Sequence, residues 1–234
     1  KIAIVSPRPQ TTRHRIIGIL TRPEAQVVFV DTPGWHKPQQ LMGKQMVAIA
    51  KGVIQDVDVL LVVIDSTTGL TREDEWVFGE VRRAQRTAVL AINKVDAVAK
   101  RTLLPLMDTC ARTQLFATQV PISALTGDHL DVLLNELICR LPVGPRWYEP
   151  DQVTDQPLER FVTELIREQV LLSTWQEVPY AVAVRLEEKT DKERVTVIRA
   201  TILVERGGQK AIVIGKKGLM LKQIVQAARL EIER

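Results

Sequence analysis

The sequence has few of the features that mark secreted, zinc-binding or membrane-spanning proteins. Its two cysteines, Cys110 and Cys139, form no Cys-x-x-Cys pair, so neither a disulfide framework nor a zinc site is expected. The longest unbroken apolar run near the centre, residues 59–64, is far shorter than the roughly 20 residues of a membrane-spanning helix. These absences favour a globular protein of the reducing cytoplasm, with peripheral contact to a membrane left open.

The chain also lacks an initial Met and the layout of a signal peptide, so we expect it to start within a longer protein. Its 234 residues, of which 45% are hydrophobic, suffice for one large or two ordinary domains. The net charge of +4 and the pI of about 9.2 permit a nucleic-acid partner without requiring one.

The order of apolar patterns predicts two domains. Two strand-like runs, 16–20 and 26–30, are joined by a short turn and should pair in antiparallel fashion. Strand-like runs then alternate with helix-like runs at 41–55, 72–84, 99–115 and 129–140, which indicates an α/β domain with a doubly wound, mostly parallel sheet. Four prolines then interrupt the rhythm between residues 141 and 157, as expected of a linker. Beyond it the pattern is helix, strand, strand, helix, Gly-x-x-Gly, helix, in which a charged turn at 187–194 is expected to join the strands 180–186 and 195–204.

The apolar run 88–92 is typical of a buried strand, and Asn93-Lys94-Val95-Asp96 follow at its carboxyl end, where open α/β sheets bind ligands. A carboxylate such as that of Asp96 accepts two hydrogen bonds side by side, and guanine offers two adjacent donors. A purine without this pair would leave the carboxylate unpaired, which is unfavourable in a buried site. The motif therefore predicts a guanine-binding site, in which Asn93 ties the loop and the stem of Lys94 lies along the base.

Two further motifs accompany this one, each directly after a strand-like run. Asp31-Thr32-Pro33-Gly34 precedes it and Ser123-Ala124 follows it. Asn-Lys-x-Asp alone is typical of an ordinary turn after a strand. The ordered combination of all three is far more specific, and it favours a nucleotide site.

A stretch without acidic residues, 206–230, carries a second candidate site. Its basic residues are Arg206, Lys210, Lys216, Lys217, Lys222 and Arg229. Within it, the paired glycines of Gly215-Lys216-Lys217-Gly218 would let a nucleic-acid backbone approach main-chain N–H groups at a helix start. A solvated basic face is the alternative. Aromatic residues for base stacking are scarce here, so we expect single-stranded RNA to lie in an apolar groove lined by Ile212, Ile214, Leu219 and Ile224.

Together these motifs resemble those of the Era family of GTPases over essentially the whole chain. Residues 10–15 resemble the first switch of that family, 31–34 its second switch, and 93–96 and 123–124 its base-reading motifs. From Tyr180 onward the chain is similar to the family's type II KH domain, above all in Val213-Ile214-Gly215-Lys216-Lys217-Gly218. The resemblance implies a GTPase domain of the P-loop-NTPase type at 1–142, a linker at 143–157 and a small α+β KH domain at 158–234.

The resemblance also implies roles for individual residues. GTP or GDP would be bound by Asp31, Gly34, Asn93, Lys94, Asp96, Ser123 and Ala124. Mg²⁺ would be bound by Thr12, or by Thr11, and through a water by Asp31. RNA would be bound by Arg206, Lys210, Ile214, Gly215, Lys216, Lys217, Gly218 and Lys222. No catalytic residue is assigned, because Trp35 follows Gly34 where Ras-type enzymes carry a water-orienting Gln. His14 and His36 are expected to be surface residues.

The implied protein is a monomeric, GTP-hydrolysing switch that binds small-subunit ribosomal RNA near its 3′ end and assists assembly of the small ribosomal subunit. Two features depart from the family pattern: the phosphate loop Gly-x-x-x-x-Gly-Lys-Ser/Thr and the last KH strand are absent. We attribute both to truncation, so that the fragment alone is inactive, and a natural pseudo-GTPase is the alternative. Two other hypotheses stay open: a nucleotide-independent RNA-binding scaffold, and a related ribosome-assembly GTPase whose KH-like domain does not bind RNA.

Overall fold

The computed structural model describes residues 1–7, 11–34, 41–193 and 195–233. Its contacts divide the chain into two compact units: a first unit of Lys1–Ile19, Val28–Pro33 and Gln152–Arg234, and a second unit of Leu20–Val27 and Gly34–Asp151. Gln10, Trp35 and His36, which the sequence places in or beside the switch motifs, lie outside the described residues. Within the described ranges no helix combines the length and the apolar character needed to cross a lipid bilayer.

A hairpin opens the regular structure. Strands β1 (Ile16–Thr21) and β2 (Gln26–Asp31) pair as a two-stranded sheet, and the N–H of Arg22 donates to the carbonyl of Ala25 at 2.8 Å in the connection between them. A connection this short requires an antiparallel pair, as the sequence predicted. Strand β2 ends at Asp31, the first residue of the second switch motif.

The second unit contains a parallel sheet of β3 (Val59–Asp65), β4 (Thr87–Asn93) and β5 (Thr118–Pro121), in that spatial order. The register aligns Asp65 with Asn93 and Ile92 with Pro121. Neighbouring parallel strands run in the same direction, so their carboxyl ends lie at the same edge of the sheet. The residues that follow β3, β4 and β5 are thereby brought to one edge.

Four helices belong to the second unit: α1 (Leu41–Asp56), α2 (Arg72–Ala84), α3 (Lys100–Arg112) and α4 (Leu130–Ile138). All four were predicted, although α3 and α4 are shorter than the expected 99–115 and 129–140. Helix α2 begins at a capping box, in which Thr71 Oγ1 accepts from the N–H of Asp74 and the carboxylate of Asp74 accepts from the N–H of Thr71. The box satisfies N–H groups that a helix start leaves without partners.

Strand β4 is buried on both faces. Residues Val89 and Ala91 point to one face and are completely buried, and α4 contacts β4 and β5. The other face belongs to a buried cluster from β3, β4, α2 and α3 that consists of Leu60, Val62, Ile64, Phe78, Val81, Ala88, Leu90, Ile92 and Cys110. A strand that is apolar on both sides is typical of a parallel sheet covered by helices, which is the predicted doubly wound arrangement.

The first unit holds the remaining elements: α5 (Leu158–Ser173), β6 (Val182–Lys192), β7 (Val195–Val204), α6 (Gly207–Ile214) and α7 (Leu219–Ile232). The order helix, strand, strand, helix, helix agrees with the prediction, and β6 pairs with β7 in antiparallel fashion. The core of this part consists of Val170, Val178, Val182, Val213 and Ile224.

Strand β6 continues beyond Leu186, where the sequence predicted a charged turn at 187–194. The ladder between β6 and β7 has an irregularity between Leu186 and Glu188 and then runs on to the pair Lys192 and Val195. Arg199 donates to Glu188 across the ladder at 2.7 Å. Polar cross-strand pairs of this kind stabilise an exposed ribbon, so the charge of residues 187–192 did not indicate a turn, and the prediction for them was wrong.

Replacing Leu90 by Ala tests the core of the sheet. Leu90 is completely buried, and the close-packed neighbours can fill the resulting cavity only in part, so we expect the free energy of unfolding to fall by about 2–5 kcal/mol. Urea denaturation followed by circular dichroism measures it. Leu104→Ala is the matched control, because Leu104 on α3 is 70% exposed and its loss should cost no more than about 0.5 kcal/mol. Equal losses in the two variants would contradict the assignment of Leu90 to the core.

Candidate functional sites

Asn93 ends β4, and its side chain holds two loops together. Its Oδ1 accepts from the N–H of Lys94 at 2.8 Å and from the N–H of Ala124 at 2.9 Å. The first bond fixes the start of the 3-10 turn Val95–Ala97, and the second joins this turn to the loop after β5. The structure therefore brings together two of the predicted base-reading motifs that lie far apart in the chain.

Lys94 is restrained by Asp65, a residue that sequence reasoning missed. Lys94 has a φ of 66°, and its Nζ lies 2.6 Å from Oδ2 of Asp65. Burial raises the pKa of Asp65, but hydrogen bonds from Lys94 and Thr67 outweigh this effect, so its pKa lies below the ordinary value. An ion pair at the ammonium leaves the aliphatic stem of Lys94 in a restricted position, as a contact with the plane of a base requires. The available signal was a carboxylate at the end of the strand that neighbours β4.

Asp96 lies in the 3-10 turn and is exposed. Among the residues that the structure describes, its carboxylate has no hydrogen-bond or ion-pair partner. Both oxygens are therefore available to a ligand with two adjacent donors, the arrangement that guanine offers. The role of Asp96 in reading the base stays a prediction.

Ser123 and Ala124 shape the loop after β5. Ser123 is completely buried, its hydroxyl accepts from the N–H of Thr126 at 3.1 Å, and its own N–H donates to the carbonyl of Asp128 at 3.1 Å. The N–H of Ala124, predicted to contact the guanine oxygen, donates here to Asn93. Both residues thus determine the course of the loop, and their contacts with a nucleotide stay predictions.

Thr12 and Asp31, the predicted Mg²⁺ ligands, meet in the first unit, where Thr12 Oγ1 donates to Asp31 Oδ2 at 3.2 Å. The surrounding chain removes water from the Asp31 carboxylate and raises its pKa, although hydrogen bonds from Thr12 and from the N–H of Thr32 act in the other direction. Hydroxyl and carboxylate oxygens suit Mg²⁺, which takes a few protein ligands and completes its shell with phosphate and water. Within the described ranges no group of three or more His, Cys, Asp or Glu side chains could hold a metal. A hydroxyl beside a carboxylate is compatible with an Mg²⁺ ion that a nucleotide also holds, and the role of Thr12 and Asp31 as its ligands stays a prediction.

Thr11 and Gly34 are the remaining residues predicted for this site. The carbonyl of Thr11 accepts from Nη2 of Arg167 at 2.5 Å. It is the neighbouring Thr12, the first choice of the sequence analysis, whose hydroxyl contacts Asp31. A Cβ added at Gly34 would meet no described atom within 4 Å, and the contact of its N–H with a γ-phosphate stays a prediction.

Arg13 is a second residue that sequence reasoning missed. Its Nη1 donates to the carbonyl of Val182 at 2.6 Å, and its Nη2 donates to the carbonyls of Pro179 and Tyr180 at 3.1 and 2.9 Å. Burial, together with the positive charge of Arg167, lowers the pKa of Arg13 to about 10, so the guanidinium stays protonated at neutral pH. All three acceptors are main-chain atoms, which any residue type provides, so no sequence pattern could have revealed them.

Helices α6 and α7 are joined by the loop Gly215-Lys216-Lys217-Gly218. Gly215 and Gly218 have φ values of 69° and 77°, and Lys217 has a φ of 52°, in the left-handed region that favours glycine. The side chains of Lys216 and Lys217 are exposed, and neither forms an ion pair with a described residue. The loop thus presents two free ammonium groups at the start of a helix, where the helix dipole also favours an anion.

The other residues predicted to bind RNA lie on α6 and α7 or just before them. The N–H of Arg206 donates to the side chain of Gln209 at 2.9 Å, which caps α6. Lys210 and Lys222 are exposed and form no ion pair within the described part of the chain, and Ile214 is 37% exposed. Arg229, at the far end of the basic stretch, is instead paired with Glu233 at 2.7 Å.

The predicted apolar groove needs one correction. Ile212 and Leu219 are 47% and 58% exposed, but Ile224 is completely buried and packs in the core with Val213. Ile224 has no surface to offer a ligand, so its assignment to the groove was wrong. Its position four residues before the equally buried Ala228 places it on the inner face of α7.

The chain matches two family models and several curated proteins. Residues 1–94 match the model described as a 50S ribosome-binding GTPase, and residues 177–234 match that of the KH domain. The GTPase Era of Halothermothrix orenii is 41% identical over all of this chain, which spans 80% of that protein. The GTPase Era of Ruminiclostridium cellulolyticum is 40% identical, again over the whole chain, which spans 79% of that protein.

Solved structures are similar over the whole chain as well. A crystal structure of Era in complex with MgGDPNP and nucleotides 1506–1542 of 16S ribosomal RNA matches with a TM-score of 0.96 and 36% identity, over 100% of this chain and 80% of that one. A variant of Aquifex aeolicus Era bound to GDP·AlF4⁻ matches with a TM-score of 0.95 and the same identity and coverage. The similarity confirms the predicted fold class, a GTPase domain with a parallel sheet followed by a KH domain.

Alanine substitutions at the two loop glycines should differ in cost. A Cβ at Gly215 would lie 2.6 Å from Cβ of Met220 and 3.0 Å from its nitrogen, whereas a Cβ at Gly218 would meet nothing within 4 Å. Gly218→Ala should therefore lower the free energy of unfolding by only the cost of a left-handed backbone, about 1–2 kcal/mol. Gly215→Ala should lower it further, because α7 must also be displaced. Thermal unfolding of the two variants provides the comparison. Equal losses of stability would show that Gly215 does not pack against α7.

Proposed function

Because the chain belongs to the Era family of GTPases, we propose that it hydrolyses GTP to GDP and phosphate and that this cycle controls its binding to RNA. The main support for guanine-nucleotide binding is the pair of hydrogen bonds that the side chain of Asn93 accepts from two loops. One side-chain oxygen connects the loop with the exposed carboxylate of Asp96 to the loop of Ser123 and Ala124. These groups are the ones that a guanine base would meet.

The proposed division of labour follows the sequence domains. Residues 1–142 would form the GTPase domain, 143–157 the linker and 158–234 the KH domain. The two family matches support this order, because the GTPase match ends at residue 94 and the KH match begins at residue 177. The passage from the second compact unit to the first after Asp151 also falls between the two proposed domains.

In the nucleotide site, Asp96 would accept the two guanine donors, Lys94 would lie along the base, and Asn93 would hold the loops. Thr12 and Asp31 would hold Mg²⁺, which supplies positive charge to the phosphate oxygens when it is bound. Catalysis of phosphoryl transfer depends mainly on positioning and electrostatics, so the contribution of this chain is to orient the nucleotide and to exclude a wrong base. A γ-phosphate would be sensed through the hydroxyl of Thr12, because a switch loop is ordered by such a contact and released on hydrolysis.

The RNA half of the proposal follows from the exposed lysines of the Gly-x-x-Gly loop. An Era of similar fold has been crystallised with MgGDPNP and nucleotides 1506–1542 of 16S ribosomal RNA. We infer that this chain binds the corresponding RNA through Lys216, Lys217 and the backbone between Gly215 and Gly218, and that it assists assembly of the small ribosomal subunit. A monomeric state and a cytoplasmic location, with or without peripheral membrane contact, stay predictions from the sequence.

Asp96→Asn tests the guanine site in the intact protein. An amide presents a donor where the carboxylate presented an acceptor, so affinity should fall for GTP and rise for xanthosine triphosphate, whose base carries an oxygen at that position. Competition binding with GTP, XTP and ATP measures the preference. Asp58→Asn is the matched control, because Asp58 is exposed just before β3, at the opposite edge of the sheet. Unchanged guanine preference in Asp96→Asn would remove Asp96 from the site.

Replacing Lys216 and Lys217 by Asp tests the RNA site. Two attractive phosphate contacts become repulsive, so RNA affinity should collapse, and the log-log salt dependence should flatten by roughly 1.4, about 0.7 per contact for single strands. Filter binding of the 1506–1542 RNA at several salt concentrations measures both. Lys100→Asp with Arg101→Asp provides a matched exposed pair at the start of α3 and should leave RNA affinity nearly unchanged. If the KH variant bound with the parent's affinity and salt dependence, the loop would be only a helix-start turn.

A further inference from the structure

The segment Thr11-Thr12-Arg13 is held on two sides by the part of the first unit that contains the KH elements. Helix α5 contacts the segment at Thr11, and the residues that lead into β6 contact it at Arg13. Between these contacts lies Thr12, with its hydroxyl on Asp31. The proposed Mg²⁺ ligand is therefore fastened, through its two neighbours, to elements that belong to RNA binding.

The contact at Thr11 is made by Arg167, which is 2% exposed. Glu164, one turn earlier on α5, accepts from Nε and Nη2 of Arg167 at 2.9 and 2.5 Å and fixes the plane of the guanidinium. The same Nη2 donates to the carbonyl of Thr11 at 2.5 Å. A guanidinium held in this way is pre-organised to grip one carbonyl, because its planar fork loses little freedom on bonding.

Arg167 is only partly satisfied. Its Nη1 is buried and has no hydrogen-bond partner among the described residues. A buried donor without a partner is unfavourable, and such groups in a native structure call for an explanation. The unpaired Nη1 raises the free energy of the arrangement in which Arg167 contacts Thr11, so an arrangement that gives Nη1 a partner can compete with it.

The contact at Arg13 leads toward the Gly-x-x-Gly loop. The three carbonyls that accept from Arg13 belong to Pro179, Tyr180 and Val182. Val178 and Val182, at either end of this stretch, are buried in one cluster with Val213 and Ile224, and Met220 packs against the same cluster. Met220 is the residue whose Cβ lies closest to the position of a Cβ at Gly215. A contiguous set of packed residues thus connects Arg13 to the loop that presents Lys216 and Lys217.

We propose that Arg13 and Arg167 are positioning residues that couple the state of Thr12 to the RNA-binding loop. This inference is based on the proposed function, since it takes Thr12 as the group that senses the γ-phosphate. When Thr12 turns to the metal, the shared backbone moves Thr11 and Arg13, and their contacts with α5 and with residues 179–182 change. In this proposal the two arginines contact neither the nucleotide nor the RNA. They change only how strongly the binding of one ligand affects the affinity for the other.

Linkage is reciprocal, and this makes the proposal measurable. If a GTP analogue changes RNA affinity by some factor, RNA must change the affinity for the analogue by the same factor, and couplings of about 5- to 150-fold are typical. We expect RNA to bind the parent protein at least about fivefold more tightly with GDPNP than with GDP. Without the arginine contacts, the ratio of the RNA dissociation constant in GDP to that in GDPNP should approach one.

The experiment uses charge-conserving substitutions in the intact protein: Arg13→Lys, Arg167→Lys and the control Arg160→Lys. An ammonium cannot reproduce a planar guanidinium that donates to several oxygen atoms at once, whereas the net charge seen by RNA is unchanged. Arg160 lies on α5 as well, is exposed, and makes no side-chain hydrogen bond with a described residue. Fluorescence anisotropy with the 1506–1542 RNA gives the dissociation constant in the presence of GDPNP and of GDP.

We expect this ratio to fall to about two or less in Arg13→Lys and in Arg167→Lys. Their RNA affinity in GDP should stay close to that of the parent. Arg160→Lys should keep the parent's ratio. If Arg13→Lys retained the parent's ratio, the proposal would be overturned while the proposed function stood. A parent ratio of one would refute the control of RNA binding by nucleotide, which belongs to the proposed function. Should Arg167→Lys fail to fold by circular dichroism, the Arg13 variant alone decides, because Arg13 is only partly buried. A parent that bound neither guanine nucleotide nor RNA would instead refute the proposed function, so the two failures are distinct.

Discussion

The candidate guanine site depends on one hydrogen-bond acceptor, Oδ1 of Asn93. Two loops, which are separated in the chain by α3 and β5, donate the N–H groups of Lys94 and Ala124 to this atom. The acceptor itself is fixed because the strand that carries it is buried on both faces and paired on both edges. A rigid scaffold that ends in loops is the usual way to hold polar groups for a ligand. The buried apolar residues of β4 thus fix the position of the polar groups that follow the strand.

The Gly-x-x-Gly loop obeys a similar constraint with different chemistry. Here no side chain ties the turn, and the close approach of Gly215 to Met220 takes its place. Because Met220 also packs against the core of the KH part, the loop is anchored to the interior from its first residue. At the other end of the loop the N–H of Gly218 donates to the carbonyl of Gly215 at 3.1 Å and closes the turn. A turn that is closed by this bond and anchored at Gly215 suits the proposed contact of Lys216 and Lys217 with phosphates.

Much of this could be predicted from the sequence, and what could not has identifiable physical reasons. The strands and helices followed from periodicity, and the meeting of the Asn93 and Ala124 loops agrees with the predicted site, whose contacts with guanine stay predictions. The errors concern features that side-chain type does not encode. Charged residues 187–192 remain in a strand because cross-strand pairs stabilise them, and Ile224 faces the core because of its phase on α7. Asp65 escaped notice because its partner, Lys94, comes from the neighbouring strand.

Adjacent residues of the first switch motif make contacts of different kinds. Thr12 and Arg13 are adjacent in the first switch motif, yet one side chain reaches Asp31 and the other reaches main-chain carbonyls near the start of β6. Adjacent residues share a peptide bond, so a change in the position of one is transmitted to the other without any further contact. Thr12 can respond to a ligand only if its neighbours allow it to move. In the proposed coupling, the bonds that hold the segment in place set how strongly a nucleotide influences RNA binding.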